Sequence, residues 1–327
     1  MKKNIAIIMG GYSSEYKISL LSGNVVHDYL DREKFNAYRI HIFKDKWVYV
    51  DDQQEEHPVN RHDFSVSLST GTLRFHCVFN AIHGTPGEDG LMQAYFRIIG
   101  LPQTSCDYYQ AALTFNKRDL LSVLRPFGIK SAPSYYLNQG DRVAEDDIVN
   151  KVGLPCFVKA NRAGSSFGVT KVYHKEELAA AIGTAFVEDD EILIESFLKG
   201  TEVSVGVIKY EGKTKVLPIT EIVPENDFFD YAAKYEGKSQ EITPARITKK
   251  QENNVVRVAK QIYDTLKMKG YTRSEFIFIG DDPYLLEVNT TPGLTTRSIL
   301  PQQAEVAGIS LSELFESSIW EALGENK

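Results

Sequence analysis

The chain has 327 residues, of which 43% are hydrophobic and 25% are charged, and its formal net charge at pH 7 is −7. This length predicts two or three globular domains, because single cores seldom grow beyond roughly 250–300 residues. The acidic balance excludes non-specific binding of nucleic acid, which needs a basic surface.

The cysteines and the apolar segments restrict the cellular setting. The chain has three cysteines, Cys77, Cys106 and Cys156, which lie far apart in the sequence. An odd number of widely spaced cysteines excludes a disulfide framework and a zinc-binding pattern. No apolar stretch reaches the roughly 18 residues of a membrane span, and the start of the chain shows no signal-peptide pattern. We therefore expect a cytoplasmic protein with reduced cysteines and with neither membrane nor nucleic acid as a partner.

The chain opens with an apolar run of strand length, Asn4–Met9, that ends at a pair of glycines. Apolar residues then recur at helical spacing from Ile18 to Tyr29. A strand, a glycine turn and a helix open an α/β unit, whose ligands gather at the carboxyl ends of the strands. Glu15 lies at this turn, and two interpretations stay open: it complements the helix dipole, or it holds an ammonium group.

The next segments continue the α/β pattern. Strands are predicted at Phe35–Phe43, Trp47–Val50 and Cys77–Ile82, with loops or edge strands over 51–72. A helix after the loop 83–90 carries Leu91, Tyr95 and Ile98 on one face. His83, at the end of a strand, is either a structural hydrogen-bonding residue or part of a ligand site.

A glycine- and serine-rich turn, Asn161–Gly168, joins two short apolar strands. Because this turn links strand to strand, its backbone N–H groups and the hydroxyls of Ser165 and Ser166 can cradle phosphate oxygens as a flexible flap. Lys159, at the base of the turn, would bring a positive charge to the same oxygens. The alternative is a solvated hairpin tip with a surface lysine.

A connector, Ser196–Gly200, separates a predicted strand from the following hairpin. It offers two apolar side chains, Phe197 and Leu198, free backbone groups, and the flanking acids Glu195 and Glu202. Such a connector between two α+β units is a natural adenine slot, although the pattern is not specific.

Helices are predicted over 109–127, 176–185, 249–269 and 311–323, and the third would turn Val255, Ile262 and other apolar residues at helical spacing inward. The first of them carries Lys117. Residues 224–247 show no apolar period, and we expect a long loop there. Loops of this length inside a compact domain are usually functional and often act as lids. Lys234 and Tyr235 would be the functional residues of this lid.

The stretch 271–299 predicts a β-hairpin, because two apolar runs flank the turn sequence Gly280–Pro283. In such a hairpin Glu275 and Glu287 lie roughly opposite each other. Asn289 shares the face of Glu287, since residues i and i+2 of a strand point the same way. Three oxygen ligands on one patch suit a hard cation such as Mg²⁺. The alternative is a pair of solvated acids on an edge strand and a turn asparagine.

Five segments of the chain, taken together, resemble a known family. In order they read MGGYSSEYKISLLSG, NAIHGTPGEDG, VKANRAGSSFGV, DYAAKY and LLEVNTTPGLTTRSILP. They are similar to the D-alanine–D-alanine ligases, members of the ATP-grasp fold, and the likeness runs nearly end to end. The resemblance implies a mixed α/β and α+β chain of three domains. These are a parallel α/β domain over 1–105 and two α+β domains, 106–199 and 200–327, that clasp ATP.

The resemblance implies an enzyme, an ADP-forming carbon–nitrogen ligase. It would join two D-alanines to D-alanyl-D-alanine through an acyl phosphate, for peptidoglycan precursor synthesis. ATP would be the co-substrate, two Mg²⁺ ions (or Mn²⁺ in their place) the cofactors, and a homodimer the assembly. The alternatives are an ATP-grasp ligase of another amino acid or dipeptide, and a nucleotide-binding sensor without turnover.

The resemblance also assigns residues to the metal and to ATP. The metal ligands are Glu275, Glu287 and Asn289. The residues at the phosphates are Lys117, Lys159, Ser165, Ser166 and Lys234. The residues at the adenine and ribose are Glu195, Leu198 and Glu202, beside Phe197 of the connector.

A second set of residues is assigned to the two amino acids. The residues around the first D-alanine are Glu15, His83, Ser165 and Tyr235. The groups that stabilise the tetrahedral intermediate are Arg273 and the N–H of Gly293. The groups that seat the second carboxylate are Ser298 and the N–H of Ile299. The presence of Tyr235 favours D-alanine over D-lactate as second substrate, while the segment QTSC at 103–106 departs from the family's usual sequence.

Overall fold

A computed structural model describes residues 2–164, 168–224 and 239–325. Four residues assigned from the sequence lie outside this description, namely Ser165, Ser166, Lys234 and Tyr235. The strands are β1 (Lys3–Gly10), β2 (Phe35–Ile42), β3 (Trp47–Val50), β4 (Glu56–Asn60), β5 (Ser65–Leu68), β6 (Gly71–Leu73), β7 (Cys77–Asn80), β8 (Ser134–Asn138), β9 (Cys156–Ala160), β10 (Thr170–Val172), β11 (Glu191–Ser196), β12 (Thr201–Tyr210), β13 (Lys213–Val216), β14 (Thr220–Pro224), β15 (Ser239–Ile242), β16 (Tyr271–Ile279) and β17 (Asp282–Asn289).

The described residues form three separate sheets, and nine α-helices pack around them. The helices are α1 (Tyr16–Tyr29), α2 (Leu91–Ile99), α3 (Tyr108–Phe115), α4 (Lys117–Leu124), α5 (Glu145–Val152), α6 (Leu178–Glu188), α7 (Lys249–Thr265), α8 (Ile299–Val306) and α9 (Leu311–Ala322). Among the helices of the described residues, none is long and apolar enough to cross a membrane. The mixed α/β class predicted from the sequence is confirmed.

The first sheet has the strand order β6-β5-β4-β3-β2-β1-β7. Its parallel part is limited to β2, β1 and β7, and β3 to β6 pair antiparallel. The expectation of a parallel N-terminal sheet was therefore only partly right. Short turns join β2 through β6, and a short turn can join antiparallel strands only, since a parallel pair needs a long crossover.

The central strand of this sheet, β1, is buried on both faces. Ile5 and Ile7 pack with Phe315 of the last helix, α9, while Ala6 and Ile8 pack in a second cluster with Phe96 of α2. The two ends of the chain therefore share one core. The carboxyl end of β1, where Glu15 follows, is fixed from both sides.

The second sheet has the order β10-β9-β11-β8, with antiparallel pairing throughout. Helices α5 and α6 cover one face, where Val158 and Ile194 pack with Ile182. Since side chains alternate along a strand, the neighbours of these residues point to the other face. That opposite face carries the polar residues Lys159 and Glu195.

The third sheet has the order β15-β14-β12-β16-β17, with β13 paired to β12. Helix α7 packs on it through Val255 and Ile262, as the helical pattern predicted, and these side chains meet Phe276 and Leu285. Helices α3 and α4 join the same core, although their sequence lies next to the second sheet. The domain boundaries at 105/106 and 199/200 stay a proposal.

The predicted elements differ from the structure in several details. The helix predicted over 109–127 is broken at Asn116, whose backbone is extended and whose side chain caps α4. On α2 the buried residues are Met92 and Phe96, while Leu91 and Ile98 are exposed. The sequence also gave no sign of β8, β14 or α8, and it read β15 as part of a loop.

Candidate active site

The β16–β17 hairpin brings four polar side chains to one face. Glu275 lies opposite Glu287, and Arg273 lies opposite Asn289, with a local shift of register immediately after Glu275. The Arg273 Nε–H donates to Glu275 Oε1 at 2.6 Å, and the Ser204 hydroxyl donates to the same oxygen at 3.3 Å. The pairing predicted from the turn and the apolar runs is confirmed.

This face has the donor set that a hard divalent cation requires. Two carboxylates and an amide are adjacent, and Mg²⁺ binds such oxygen ligands in preference to nitrogen or sulfur. The side-chain amide nitrogen of Asn289 is buried and has no hydrogen-bond partner within the described residues. A buried donor without a partner normally costs about 1–3 kcal/mol, so it fits a site completed by an acceptor such as a phosphate oxygen, while the Asn289 amide oxygen is the atom that could ligate a cation. The residues present therefore fit the metal that the sequence predicted.

Two lysines reach this region from other elements. Lys117, the first residue of α4, donates from Nζ to the carbonyl oxygen of Ala163 at 2.8 Å, and its Nζ lies 3.3 Å from Glu287 Oε2. Lys159, on β9, forms a buried ion pair with Glu195. Burial opposes the charge on Lys159, but the carboxylates of Glu195, Glu287 and Glu202 together outweigh burial and raise the pKa of Lys159. The lysine is therefore cationic at neutral pH.

The face of the second sheet that α5 and α6 leave uncovered continues from Lys159 toward the connector. Lys171 Nζ lies 4.0 Å from the ring centroid of Phe197, and the rings of Phe157 and Phe197 are 6.1 Å apart. Leu198 is half-buried in the same connector. These side chains form an apolar slot with a cation at its edge, as a base-binding site would.

Lys171 did not emerge from the sequence as a candidate. It lies directly opposite Phe157 in the β9–β10 pair. Lys159 is two residues from Phe157 on the same strand, so the three share a face. Pairing the two strands across the glycine-rich turn would have identified it. Glu202, a predicted residue on β12, is near enough to Lys159 to help raise the pKa of that lysine.

The Glu15 carboxylate is enclosed by two glycines. A Cβ atom placed on Gly164 would lie 2.7 Å from Glu15 Oε2, and one placed on Gly84 would lie 3.2 Å from the same atom. Gly84 also has a φ of +68°, which favours glycine. The end of β1, the loop 83–90 and the start of the glycine-rich turn therefore meet at Glu15.

His83 is fully engaged by protein groups. Its Nδ1 lies 2.7 Å from the carbonyl oxygen of Thr291, and its Nε2 lies 2.9 Å from the Ser22 hydroxyl. A carbonyl can only accept, so Nδ1 carries the proton and Nε2 accepts from Ser22. Burial lowers the pKa of His83, which keeps the ring neutral. This geometry supports a role in positioning the loop after β17, and direct contact with substrate stays a prediction.

Glu88 is a second residue that the sequence did not single out. Its carboxylate accepts the N–H of Gly84 at 2.7 Å and the N–H of Thr291 at 3.1 Å, and so ties the loop 83–90 to the loop after β17. Burial, with the charge of Glu15 as a smaller contribution, raises the pKa of Glu88 to about 8. The segment HGTPGEDG contains it, but nothing local distinguishes it from a surface acid.

We expect Glu88 to make stability depend on pH. Its pKa is raised on folding from 4.5 to about 8, so the folded state binds the proton more tightly. The resulting stabilisation is complete below about pH 4.5 and is lost as pH rises through 8. Glu88→Gln cannot ionise, so its melting temperature relative to wild type should rise between pH 5 and 9 in calorimetry. Glu305→Gln, at an exposed acid, controls for removal of one charge, and a pH-independent difference for Glu88→Gln would contradict the assignment.

The loop after β17 gathers the last predicted residues. A Cβ atom on Gly293 would lie 2.7 Å from Ser298 Oγ, and Ser298 Oγ lies 2.8 Å from Thr295 Oγ1. Ser298 precedes α8, which begins at the buried Ile299. A hydroxyl beside the free N–H groups of a helix start is suited to a carboxylate ligand.

The described residues therefore form one continuous region. Acids and an amide suited to a divalent cation lie beside two lysines suited to phosphates. A carboxylate suited to an ammonium lies at one side of this region, and a helix start suited to a carboxylate follows the hairpin. Such a site can bind a nucleoside triphosphate together with small zwitterionic molecules.

Comparisons with known proteins indicate the same family over nearly the whole length of the chain. The family described as "D-ala D-ala ligase N-terminus" matches residues 4–106, and "D-ala D-ala ligase C-terminus" matches residues 123–319. The D-alanine–D-alanine ligase of Flavobacterium johnsoniae is 68% identical over 317 residues, which covers 97% of this chain and 98% of the relative. The ligase of the same name from Christiangramia forsetii is 61% identical over 325 residues, covering 99% and 100%.

Solved structures give the same result. The VanG D-Ala:D-Ser ligase of Enterococcus faecalis superposes with a TM-score of 0.85 at 30% identity, covering 98% of this chain and 100% of that one. The D-alanine–D-alanine ligase of Bacillus anthracis complexed with ATP superposes with a TM-score of 0.79 at 28% identity, covering 98% of both chains.

Proposed function

Because the chain belongs to the D-alanine–D-alanine ligase family, we propose that the region around the β16–β17 hairpin is its active site. The enzyme has the ATP-grasp fold of that family and joins two D-alanines to D-alanyl-D-alanine with conversion of ATP to ADP and phosphate, a step of peptidoglycan precursor synthesis. The arrangement of Arg273, Glu275, Glu287 and Asn289 on one face, with Lys117 against it, carries the assignment.

The first D-alanine is bound at Glu15. Its ammonium group carries a positive charge that the Glu15 carboxylate can pair with, and Gly84 and Gly164, which lack side chains, let their backbones pack against that carboxylate and hold it in place. The neutral His83 and the Glu88 carboxylate hold the two neighbouring loops in place. The substrate carboxylate is thereby left to face the nucleotide.

Phosphoryl transfer to that carboxylate requires neutralisation of charge. A carboxylate is a poor nucleophile toward an anionic triphosphate, so positive charges must neutralise the β- and γ-phosphates. Lys117 and Lys159 supply two fixed positive charges. Mg²⁺ or Mn²⁺ held by Glu275, Glu287 and Asn289 would neutralise the phosphates further and orient them for in-line transfer.

The base of ATP is assigned to the slot between the second and third sheets. Phe197 and Leu198 provide apolar surface, and Glu195 and Glu202 provide acceptors for the amino group and ribose. Lys171, which lies over the Phe197 ring, fixes the orientation of that ring. ATP itself follows from the family, and the individual contacts are our proposal.

The second D-alanine completes the reaction. Its carboxylate is held by the Ser298 hydroxyl and the N–H of Ile299 at the start of α8, and its free amine attacks the acyl phosphate. The Arg273 guanidinium and the N–H of Gly293 stabilise the oxyanion that develops at the carbonyl carbon. The C–N bond forms and the C–O bond to phosphate breaks, the leaving inorganic phosphate takes up the proton that the amine loses, and the dipeptide remains in place.

Acyl phosphates hydrolyse readily, so the site must exclude water during the second step. We propose that Ser165, Ser166, Lys234 and Tyr235 contribute to this closure. All four lie outside the described residues, and their roles rest on the family resemblance alone.

We also propose a cytoplasmic homodimer that associates through the first domain. Helix α2 of that domain leaves Leu91 and Ile98 exposed by 61% and 84%. Large apolar side chains on a surface favour association, since burial contributes roughly 25 cal/mol per Å².

Substrate use is tested by following phosphate release from ATP and Mg²⁺. We expect release with D-alanine and the dipeptide mass in the product, and no release with L-alanine, the matched enantiomer. D-Serine and D-lactate, each offered with D-alanine, test the second position. Release with another amino acid but none with D-alanine would contradict the proposed function, and ATP binding without any turnover would favour a sensor.

A further inference from the structure

Asn161, the residue that opens the glycine-rich turn, is completely buried. Its side-chain nitrogen donates to Asn116 Oδ1 and to Glu191 Oε2, each at 2.8 Å. Its side-chain oxygen accepts the backbone N–H of Arg118 at 2.9 Å. Both donors and the acceptor of this amide are therefore used, and they reach two other elements of the fold.

The contacts of Asn161 fix the beginning of α4. The first N–H groups of a helix have no partner within the helix, and Asn161 supplies an acceptor to one of them, that of Arg118. Asn116, the other partner, caps the same helix by accepting the N–H of Asp119 at 3.0 Å. The backbone N–H of Lys117 also points to the carbonyl oxygen of Asn161, at 3.4 Å. The first turn of α4 is thus tied to one residue of the glycine-rich turn.

The side chain of Lys117 returns to the same segment. Its Nζ donates to the carbonyl oxygen of Ala163, two residues after Asn161. Between them, Arg162 is held through its backbone N–H at 2.7 Å and its guanidinium at 2.6 Å by the Asp189 carboxylate. The backbone N–H and the side-chain ammonium of Lys117 therefore both make hydrogen bonds to residues 161–163.

We propose that Asn161 is a positioning residue for phosphoryl transfer. It holds Lys117 at a fixed place relative to residues 161–163, so that the lysine meets the phosphates of ATP at a defined position. The inference rests on the proposed function, in which Lys117 binds these phosphates. A residue that served the core alone would change the stability of the protein without a specific effect on the nucleotide.

The test begins with Asn161→Asp. This variant keeps the volume and the oxygen that accepts from Arg118, but places a second oxygen against Asn116 Oδ1 and Glu191 Oε2. Displacement of a positioning contact by about 1 Å costs up to ~100-fold, so we expect kcat/KM for ATP to fall roughly 30- to 100-fold. The KM for D-alanine at the second site should stay within about twofold, because Ser298 lies outside these contacts.

Asn116→Asp is the matched control. It makes the same amide-to-acid change, but retains the oxygen that accepts from Asn161 and Asp119, so its kcat/KM for ATP should stay within about threefold of wild type. Asn116→Ala removes that oxygen without placing a charge in the core, and should lower kcat/KM for ATP about fivefold. If Asn161→Asp does not fold, wild-type kinetics of Asn116→Ala would overturn the inference.

Whether Asn161 acts through Lys117 is tested by measuring how tightly a nucleotide binds to variants of both residues. The dissociation constant of a non-hydrolysable ATP analogue is determined by calorimetry for wild type, Asn161→Asp, Lys117→Ala and the double variant. If Asn161 acts through Lys117, Asn161→Asp should weaken binding about tenfold in wild type but less than about twofold in the Lys117→Ala background. Equal losses in both backgrounds would overturn the inference. Absence of ligation by the wild type would instead contradict the proposed function and leave this binding cycle interpretable.

Discussion

Glu287→Gln should lower kcat for ligation by roughly 10²- to 10³-fold, the scale of several kcal/mol that metal-ion charge stabilisation contributes. The change removes one negative charge from the face formed by Glu275, Glu287 and Asn289, so the divalent cation is held less tightly. Glutamine has the same length and the strand pairing does not involve the side chain. The melting temperature should therefore change little, and steady-state phosphate release at saturating D-alanine measures the loss.

The control for this variant is on the same hairpin. Asp282→Asn makes the same acid-to-amide change at the other end of β17, where Asp282 pairs with Lys130 at 2.6 Å on the surface. Its activity should match wild type, since exposed ion pairs contribute little. Near-wild-type activity of Glu287→Gln would mean that the metal is held elsewhere.

Arg273→Ala should lower kcat by about 10²- to 10³-fold, the loss seen when one oxyanion donor is removed. The reason differs from that for Glu287, because Arg273 is assigned to the second half-reaction. Positional isotope exchange in labelled ATP reports formation of the acyl phosphate alone. This exchange should continue in the variant with the first D-alanine present, while dipeptide formation fails.

Arg273 also neutralises Glu275, with Nε 2.6 Å from Oε1, and its removal affects the metal face as well. Arg273→Lys retains a positive charge there but presents a compact ammonium in place of the planar guanidinium. It should therefore restore part of the loss in affinity for the metal without restoring ligation. Loss of isotope exchange in Arg273→Lys would place the residue in the first half-reaction and contradict the assignment.

Features that depend on residues close together in the sequence could be predicted from the sequence alone. The opposition of Glu275 and Glu287 followed from a turn sequence and a two-residue alternation, and the structure has that pairing. The buried stripe of α7 followed from helical spacing. These features depend on neighbours along the chain, which a single sequence displays.

Contacts between residues far apart in the sequence could not be predicted from it. The break at Asn116 looks unnecessary locally, because its neighbours continue a helical pattern. It is stabilised by Asn161, whose side chain accepts the N–H of Arg118, 43 residues away. Likewise the apolar spacing on α2 could not reveal which side faces the core, and Ile98 is exposed. The roles of the site residues, including Ser165 and Tyr235, stay predictions.

Three of the cations assigned to the reaction have an acid as a neighbour. Lys159 pairs with Glu195, Lys117 lies beside Glu287, and Arg273 lies beside Glu275. Removal of a charge from water is expensive, and a partner of opposite sign offsets that cost. In this protein the cost is met during folding, so nucleotide binding exchanges one set of counterions for another. The acids therefore hold these cations charged and in place before ATP binds, so that little reorganisation of the cations is needed on binding.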